Sequence, residues 1–156
     1  MEVTLLAEYP HDAPKIAQWY YNEWACHAPN VSEKMVLDDI VEKSTNQNKI
    51  PLAIIARKNN ELVGVAEIKY RENKKHHDYV YWLGGVFVAP EYRGTGISSL
   101  LIANAQSKAA KLGVDKLYLQ CEMHNIKLYQ KHGFQLLHPA NDVDMSVVIM
   151  VWEKTT

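Results

Sequence analysis

Apolar residues recur along this chain with two periods. A period near two marks seven segments as strands: "VTLLAEY" (3–9), "PLAIIARK" (51–58), "ELVGVAEIKY" (61–70), "YVYWLGGVFV" (79–88), "DKLYLQC" (115–121), "FQLLH" (134–138) and "SVVIMVWEK" (146–154). A helical period appears in "DAPKIAQWYYNEWA", where Ile16, Trp19, Tyr20 and Trp24 form a stripe. Ser32 predicts the N-cap of a second helix, with Met35, Val36 and Ile40 turned inward and Val41 a further candidate. A third helix carries Ile97, Leu100, Leu101, Ala105 and Leu112 on one face and stops at Gly113. A short fourth, "NIKLYQKH", stops at Gly133. "NN" at 59–60 predicts a tight hairpin, and "RENKKHHD" a polar loop. The order is β-α-α-β-β-β-α-β-α-β-β, which predicts a mixed sheet with helices packed on it.

Composition narrows the class. At 156 residues with 47% hydrophobic and 22% charged residues, the chain predicts one soluble domain, 1–156, with a substantial core. A formal net charge of -1 argues against a dedicated nucleic-acid surface. No apolar run approaches the roughly 20 residues of a membrane span. The N-terminus lacks the pattern of a secretory signal, and Cys26 and Cys121 form no CxxC or zinc spacing. A cytoplasmic protein with reduced thiols is the expectation.

Two features carry candidate chemistry. Gly84 and Gly85, adjacent inside a strand, predict a bulge or a close approach of backbone or ligand. "PEYRGTG" then places Arg93, Gly94, Thr95 and Gly96 between that strand and the third helix. A helix N-terminus presents unpaired N–H groups and a favourable dipole to an anion, and glycines let the loop approach a phosphate closely. Arg93 adds a fixed positive charge. The Gly-Lys-Ser/Thr ending of a Walker loop is absent, and so is GxGxxG.

"VFVAPEYRGTGISSLL" resembles the central motif of the GNAT superfamily of acetyl-CoA-dependent N-acetyltransferases, Arg/Gln-x-x-Gly-x-Gly/Ala after a strand ending V-x-P. Arg93, Gly96 and Ser98 stand at its fixed positions, Ser98 in place of Gly/Ala. "LYLQCEMHNIKLYQKHGF" resembles a later family segment, with Tyr129, Gly133 and Phe134 matching Tyr-x-x-x-Gly-Phe. Glu122 occupies the place where many members have an asparagine, and Asn125 lies four residues before the tyrosine.

The resemblance implies an α/β (α+β) single-domain fold: a mixed, mostly antiparallel sheet with a central splayed parallel pair and helices on both faces. It implies acetyl-CoA as acyl donor, its diphosphate on the loop Arg93, Gly94, Thr95, Gly96, Ile97 and Ser98, with Asn125 a further contact. The pantetheine arm would lie between the strands "GGVFV" and "LYLQC", against the backbone of Phe87 and Val88. Tyr129 is then the candidate general acid. Glu67 and Glu122 are candidate bases or amine-binding groups; strand alternation puts Glu67 on the face of Val63 and Val65. Cys121 reads as a buried, unreactive thiol, and His76, His77 and Asp78 as solvated loop residues. Trp24, near the turn between the first two helices, is a candidate acceptor contact. The expected activity is acetylation of a primary amine on a small molecule by direct transfer. A protein amino terminus or lysine is the alternative acceptor, and a non-catalytic acyl-CoA-binding module the alternative class. A homodimer is compatible with the family.

Overall fold

In the computed structural model, residues 1–141 and 143–155 are described. Seven strands form one sheet: β1 (Glu2–Leu5), β2 (Leu52–Lys58), β3 (Glu61–Tyr70), β4 (Tyr81–Val88), β5 (Lys116–Glu122), β6 (Gln135–Pro139) and β7 (Val147–Glu153). Four α-helices accompany them: α1 (Ala13–Glu23), α2 (Glu33–Lys43), α3 (Ile97–Lys111) and α4 (Ile126–Gln130). The order across the sheet is β1-β2-β3-β4-β5-β7-β6. Every neighbouring pair is antiparallel except β4 and β5, which run parallel.

Each face of the sheet has its own core. Leu101, Ile102, Ala105 and Ala109 of α3 pack with Ile54, Val63, Ala66, Ile68, Leu83 and Leu117 on one side. Ile16 and Tyr20 of α1 and Ile40 of α2 pack with Ala53, Ile55, Leu62, Val65 and Phe87 on the other. The first helix is tied to β2 by the buried Asp12–Arg57 ion pair at its N-terminal end. That tie orients α1 so that its C-terminal end, with Tyr20, Glu23 and Trp24, reaches β4.

Several expectations change in detail. The first strand stops at Leu5, and the chain continues in 3-10 turns at Leu6–Glu8 and Pro10–Asp12. Leu5 and Leu6 thereby serve opposite cores. Met35 and Val41 are exposed; α2 buries the narrower stripe Val36, Ile40 and Lys43. Leu100 is exposed too, because Ile102 and Ala109 complete the buried face of α3. The Asn59-Asn60 turn has both residues at positive φ, the backbone a two-residue hairpin needs.

Two bulges matter more. In β3, Ala56 pairs with Gly64 and Arg57 with Leu62, so Val63 is an extra residue. It turns Val63 to the α3 side while Val65 and Glu67 stay on the α1–α2 side. Plain alternation had put all three together, since a bulge breaks the period of two. In β4, Gly84 pairs with Glu67 and Phe87 with Val65, leaving Gly85 and Val86 opposite one residue. The bulge expected from the glycine pair is therefore present.

Candidate active site

The bulge in β4 sits where the parallel pair comes apart. β4 and β5 pair at Trp82 and Tyr118 alone, and beyond that point a cleft of about 900 Å³ opens between them. Gly85 has φ of 58°, and a Cβ there would overlap the Tyr20 hydroxyl and lie 2.6 Å from Glu67 Oε2. Only glycine adopts this backbone in so crowded a place. The Tyr20 hydroxyl donates to the Gly85 carbonyl at 2.7 Å.

Past the bulge, the Ala89 amide donates back to the Val63 carbonyl. Successive strand residues direct their amides to opposite edges, so the amide of Val88 points toward β5 and the cleft. The Val88 carbonyl accepts from Arg93 Nε at 2.9 Å, and the guanidinium lies over the Phe87 ring at 5.2 Å. Arg93 is thus anchored at the cleft mouth by one hydrogen bond and one cation–π contact.

The loop after Arg93 folds as an anion site requires. Gly94 and Gly96 have φ of 78° and 87°, and a Cβ on either would meet nothing within 4 Å. The protein itself leaves the space before these residues open. Gly96 is the N-cap of α3 and has no side chain to cap with, so the first amides of the helix lack a partner among the described residues. Thr95 does not line the cleft; its hydroxyl donates to the Tyr92 carbonyl and closes the turn. Gly94, Gly96, Ile97 and Ser98 do line it. An open, unpaired amide cradle beside a fixed guanidinium fits the diphosphate of coenzyme A.

The opposite wall comes from β5, α4 and the 3-10 turn between them, and includes Cys121, Glu122, Asn125 and Tyr129. Tyr129 packs edge-on against Phe134 at 5.9 Å, and its hydroxyl makes no hydrogen bond among the described residues. Burial, helped by Cys121 and Glu72, pushes its pKa up to about 12, so it keeps its proton at neutral pH. Cys121 is buried with its sulfur 3.9 Å from that of Met150. Burial, with Glu122 nearby, raises its thiol to about 11, which leaves almost no thiolate to act as a nucleophile. Glu122 is largely exposed at the rim, 3.3 Å from His124 Nδ1.

Glu67 takes a different place from that of a group meeting substrate. It is 1% exposed, lies behind the bulge rather than on the cleft wall, and binds Lys43 Nζ at 2.5 Å. Lys43 also binds Asp39 at 2.7 Å. Spacing within one strand gave no sign of this partner, which comes from a helix 24 residues away.

On the α1 side of the cleft, Tyr20, Trp24 and Phe87 form an aromatic wall, with Trp24 edge-on to Phe87 at 6.2 Å. Glu23, Glu72 and Lys69 join it, none of them singled out by motif or spacing. Glu72 binds Lys69 at 3.0 Å. Burial would lower the Lys69 ammonium, but Glu67 and Glu72 outweigh it, so its pKa is raised and it remains charged.

Comparison with known proteins agrees with this geometry. The uncharacterized N-acetyltransferase YhfO of Bacillus subtilis (strain 168) is 29% identical over 96 residues, 60% of this chain and 64% of that protein. The chain therefore matches a little under two thirds of that relative's length. An aminoglycoside 6'-N-acetyltransferase complexed with coenzyme A superposes with a TM-score of 0.74 at 16% identity, covering 98% of this chain and 97% of that one. A ribosomal-protein-alanine N-acetyltransferase from Brucella melitensis gives 0.73 at 18% identity, covering 99% and 100%. At such identities these two establish the fold. The family model of the acetyltransferase (GNAT) family matches residues 11–134, from the start of α1 through the loop before α3 to the end of the α4 segment. The glycine loop, the splayed strand pair and the tyrosine facing it thus have one common explanation: this chain belongs to the GNAT family of acetyltransferases.

Proposed function

We propose that the protein transfers an acetyl group from acetyl-CoA to a primary amine of a small molecule, directly and without an acyl-enzyme. The observation that carries this reading is the continuity of the cleft. One cleft is lined by the glycine cradle at α3, the free edge of β4, Tyr129, and the aromatic wall of Tyr20, Trp24 and Phe87. Bound acetyl-CoA supplies an activated thioester. The amides of Gly94, Gly96, Ile97 and Ser98 and the Arg93 guanidinium hold the diphosphate, the Val88 amide orients the arm along β4, and Asn125 borders the same passage. The aromatic wall, with Glu23 and Glu72 beside it, suits the apolar body and positive charge of a small cationic amine.

In the transfer, the amine nitrogen forms a bond to the acetyl carbon as the carbon–sulfur bond breaks and the sulfur takes the electron pair. The amine loses a proton, for which Glu122 at the rim or solvent is the acceptor. Tyr129 donates its hydroxyl hydrogen toward the sulfur. A tyrosine held near 12 is a weaker acid than an ordinary thiol at about 8.5. Its part is therefore hydrogen bonding to the developing thiolate, with water completing the protonation.

The test is calorimetric titration with acetyl-CoA and with CoA, followed by CoA release with a panel of small amines and of peptides. Failure of both ligands to bind overturns the reading. Binding with no turnover on any amine indicates a non-catalytic acyl-CoA module, and turnover confined to peptides moves the acceptor to a protein.

A further inference from the structure

We propose that Lys43, Glu67 and Tyr20 form a buried positioning device that sets the Gly85 bulge, and through it the edge of β4 on which the acyl donor lies. This rests on the acetyl-transfer reading of the cleft; it assigns a role to Lys43 and Glu67, which that reading leaves unused, and a second one to Tyr20.

Three separate elements converge on one peptide unit. Tyr20 of α1 donates to the Gly85 carbonyl at 2.7 Å. Glu67 of β3 pairs with Gly84 across the strands and places Oε2 2.6 Å from where a Gly85 side chain would begin. Its other oxygen is held by Lys43 of α2 at 2.5 Å, and Lys43 is held in turn by Asp39. Lys43 and Glu67 are each less than a tenth exposed, and neither lines the cleft. Apart from the charge of Glu67 acting on Lys69, their route to the reaction is the backbone they hold.

A buried ion pair gains little net stability over an apolar pair of the same volume, because desolvation of both charges offsets their attraction. Its consequence here is geometric. A carboxylate fixed by an ammonium cannot retreat from the bulge, and the Tyr20 hydroxyl locks the one carbonyl that the extra residue swings out of the ladder. Val86 to Val88 follow directly and border the cleft, with the Val88 amide facing it. A shift of the Gly85 peptide would swing that amide relative to the glycine cradle, which sits on α3 and is not held by these three residues.

The device predicts a split in ligand affinity. Full-length wild type, Tyr20→Phe and Glu67→Gln would be titrated with acetyl-CoA and with the adenine-nucleotide half of CoA, which lacks the pantetheine arm. Amide exchange of Gly85 to Ala89 would be followed by NMR in the same samples. Both variants should bind acetyl-CoA about tenfold more weakly, about 1.4 kcal/mol, keep their affinity for the nucleotide half within twofold, and exchange the Ala89 amide, which is bonded to the Val63 carbonyl, faster. If Glu67→Gln folds poorly, Lys43→Met with Glu67→Leu removes both charges together and should show the same split. Unchanged acetyl-CoA affinity with unchanged exchange would overturn the proposal, as would equal loss of both ligands, which is what mere destabilisation produces. If wild type binds neither ligand, the acetyl-transfer reading fails by itself, and the exchange comparison still decides whether these residues hold the bulge.

Discussion

Replacing Gly85 with alanine tests the account of the bulge most directly. At φ of 58° an L-residue costs roughly 1–2 kcal/mol over glycine. The added Cβ would also overlap the Tyr20 hydroxyl and lie 2.6 Å from Glu67 Oε2 and 2.9 Å from Tyr20 Cζ. Neither neighbour yields cheaply, since Tyr20 is buried in the α1–α2 core and Glu67 is clamped by Lys43. Overpacking of this kind adds about 1–3 kcal/mol, so the total destabilisation should be about 2–5 kcal/mol. Gly96→Ala is the control. Its φ of 87° carries the same backbone strain, but its Cβ meets nothing, so the loss should stay near 1–2 kcal/mol. Urea denaturation of the three proteins, monitored by far-UV circular dichroism, gives both differences from the midpoints at a common slope. Equal losses for Gly85→Ala and Gly96→Ala would refute the claim that packing, beyond backbone conformation, demands glycine at the bulge.

Four other outcomes are expected. Gly96→Val should abolish measurable acetyl-CoA binding in calorimetry while the far-UV spectrum stays native, because the side chain would fill the space before the α3 amides. Tyr129→Phe should lower turnover roughly 10- to 100-fold, the range of one charge-assisted hydrogen bond, with acetyl-CoA affinity nearly unchanged; equal turnover would remove Tyr129 from the reaction. The raised pKa of Tyr129 also has a stability consequence. Between about 10 and about 12 the unfolded chain has released a proton that the folded chain retains, so stability falls as pH rises through that window. Wild type should show a steeper fall there than Tyr129→Phe in pH-dependent urea melts. In a thiol-reagent assay near pH 8, exposed Cys26 should react quickly and Cys121, held near 11 and buried, at least tenfold more slowly.

Much of this protein is local, and local features were legible. Strand and helix periods need only neighbouring residues, so the element order follows from the sequence with its ends shifted by a few positions. The glycine loop was equally readable, because positive φ at Gly94 and Gly96 and an uncapped helix start are properties of a few consecutive residues. The glycine pair in β4 announced its bulge for the same reason. The bulge at Val63 had no such marker: it inserts an ordinary β-branched residue, and only pairing with β2 reveals it. The exposed Met35, Val41 and Leu100 show the complementary limit, since a helix carries more apolar positions than its neighbours have room to cover.

What tertiary structure alone decided are the relations between distant residues. Tyr20 meets Gly85 across 65 positions of sequence, and Lys43 meets Glu67 across 24. A buried carboxylate in an apolar strand signals that some partner exists, because the uncompensated charge would be too costly. It cannot say which lysine supplies the partner, for that depends on how α2 docks. The place of β7 between β5 and β6, and of Glu23 and Glu72 beside the aromatic wall, are likewise outcomes of packing. Sequence alone determined the elements and the glycine loop through short-range backbone preference. The cleft, its walls and the network behind the bulge exist only once those elements bury their apolar faces together.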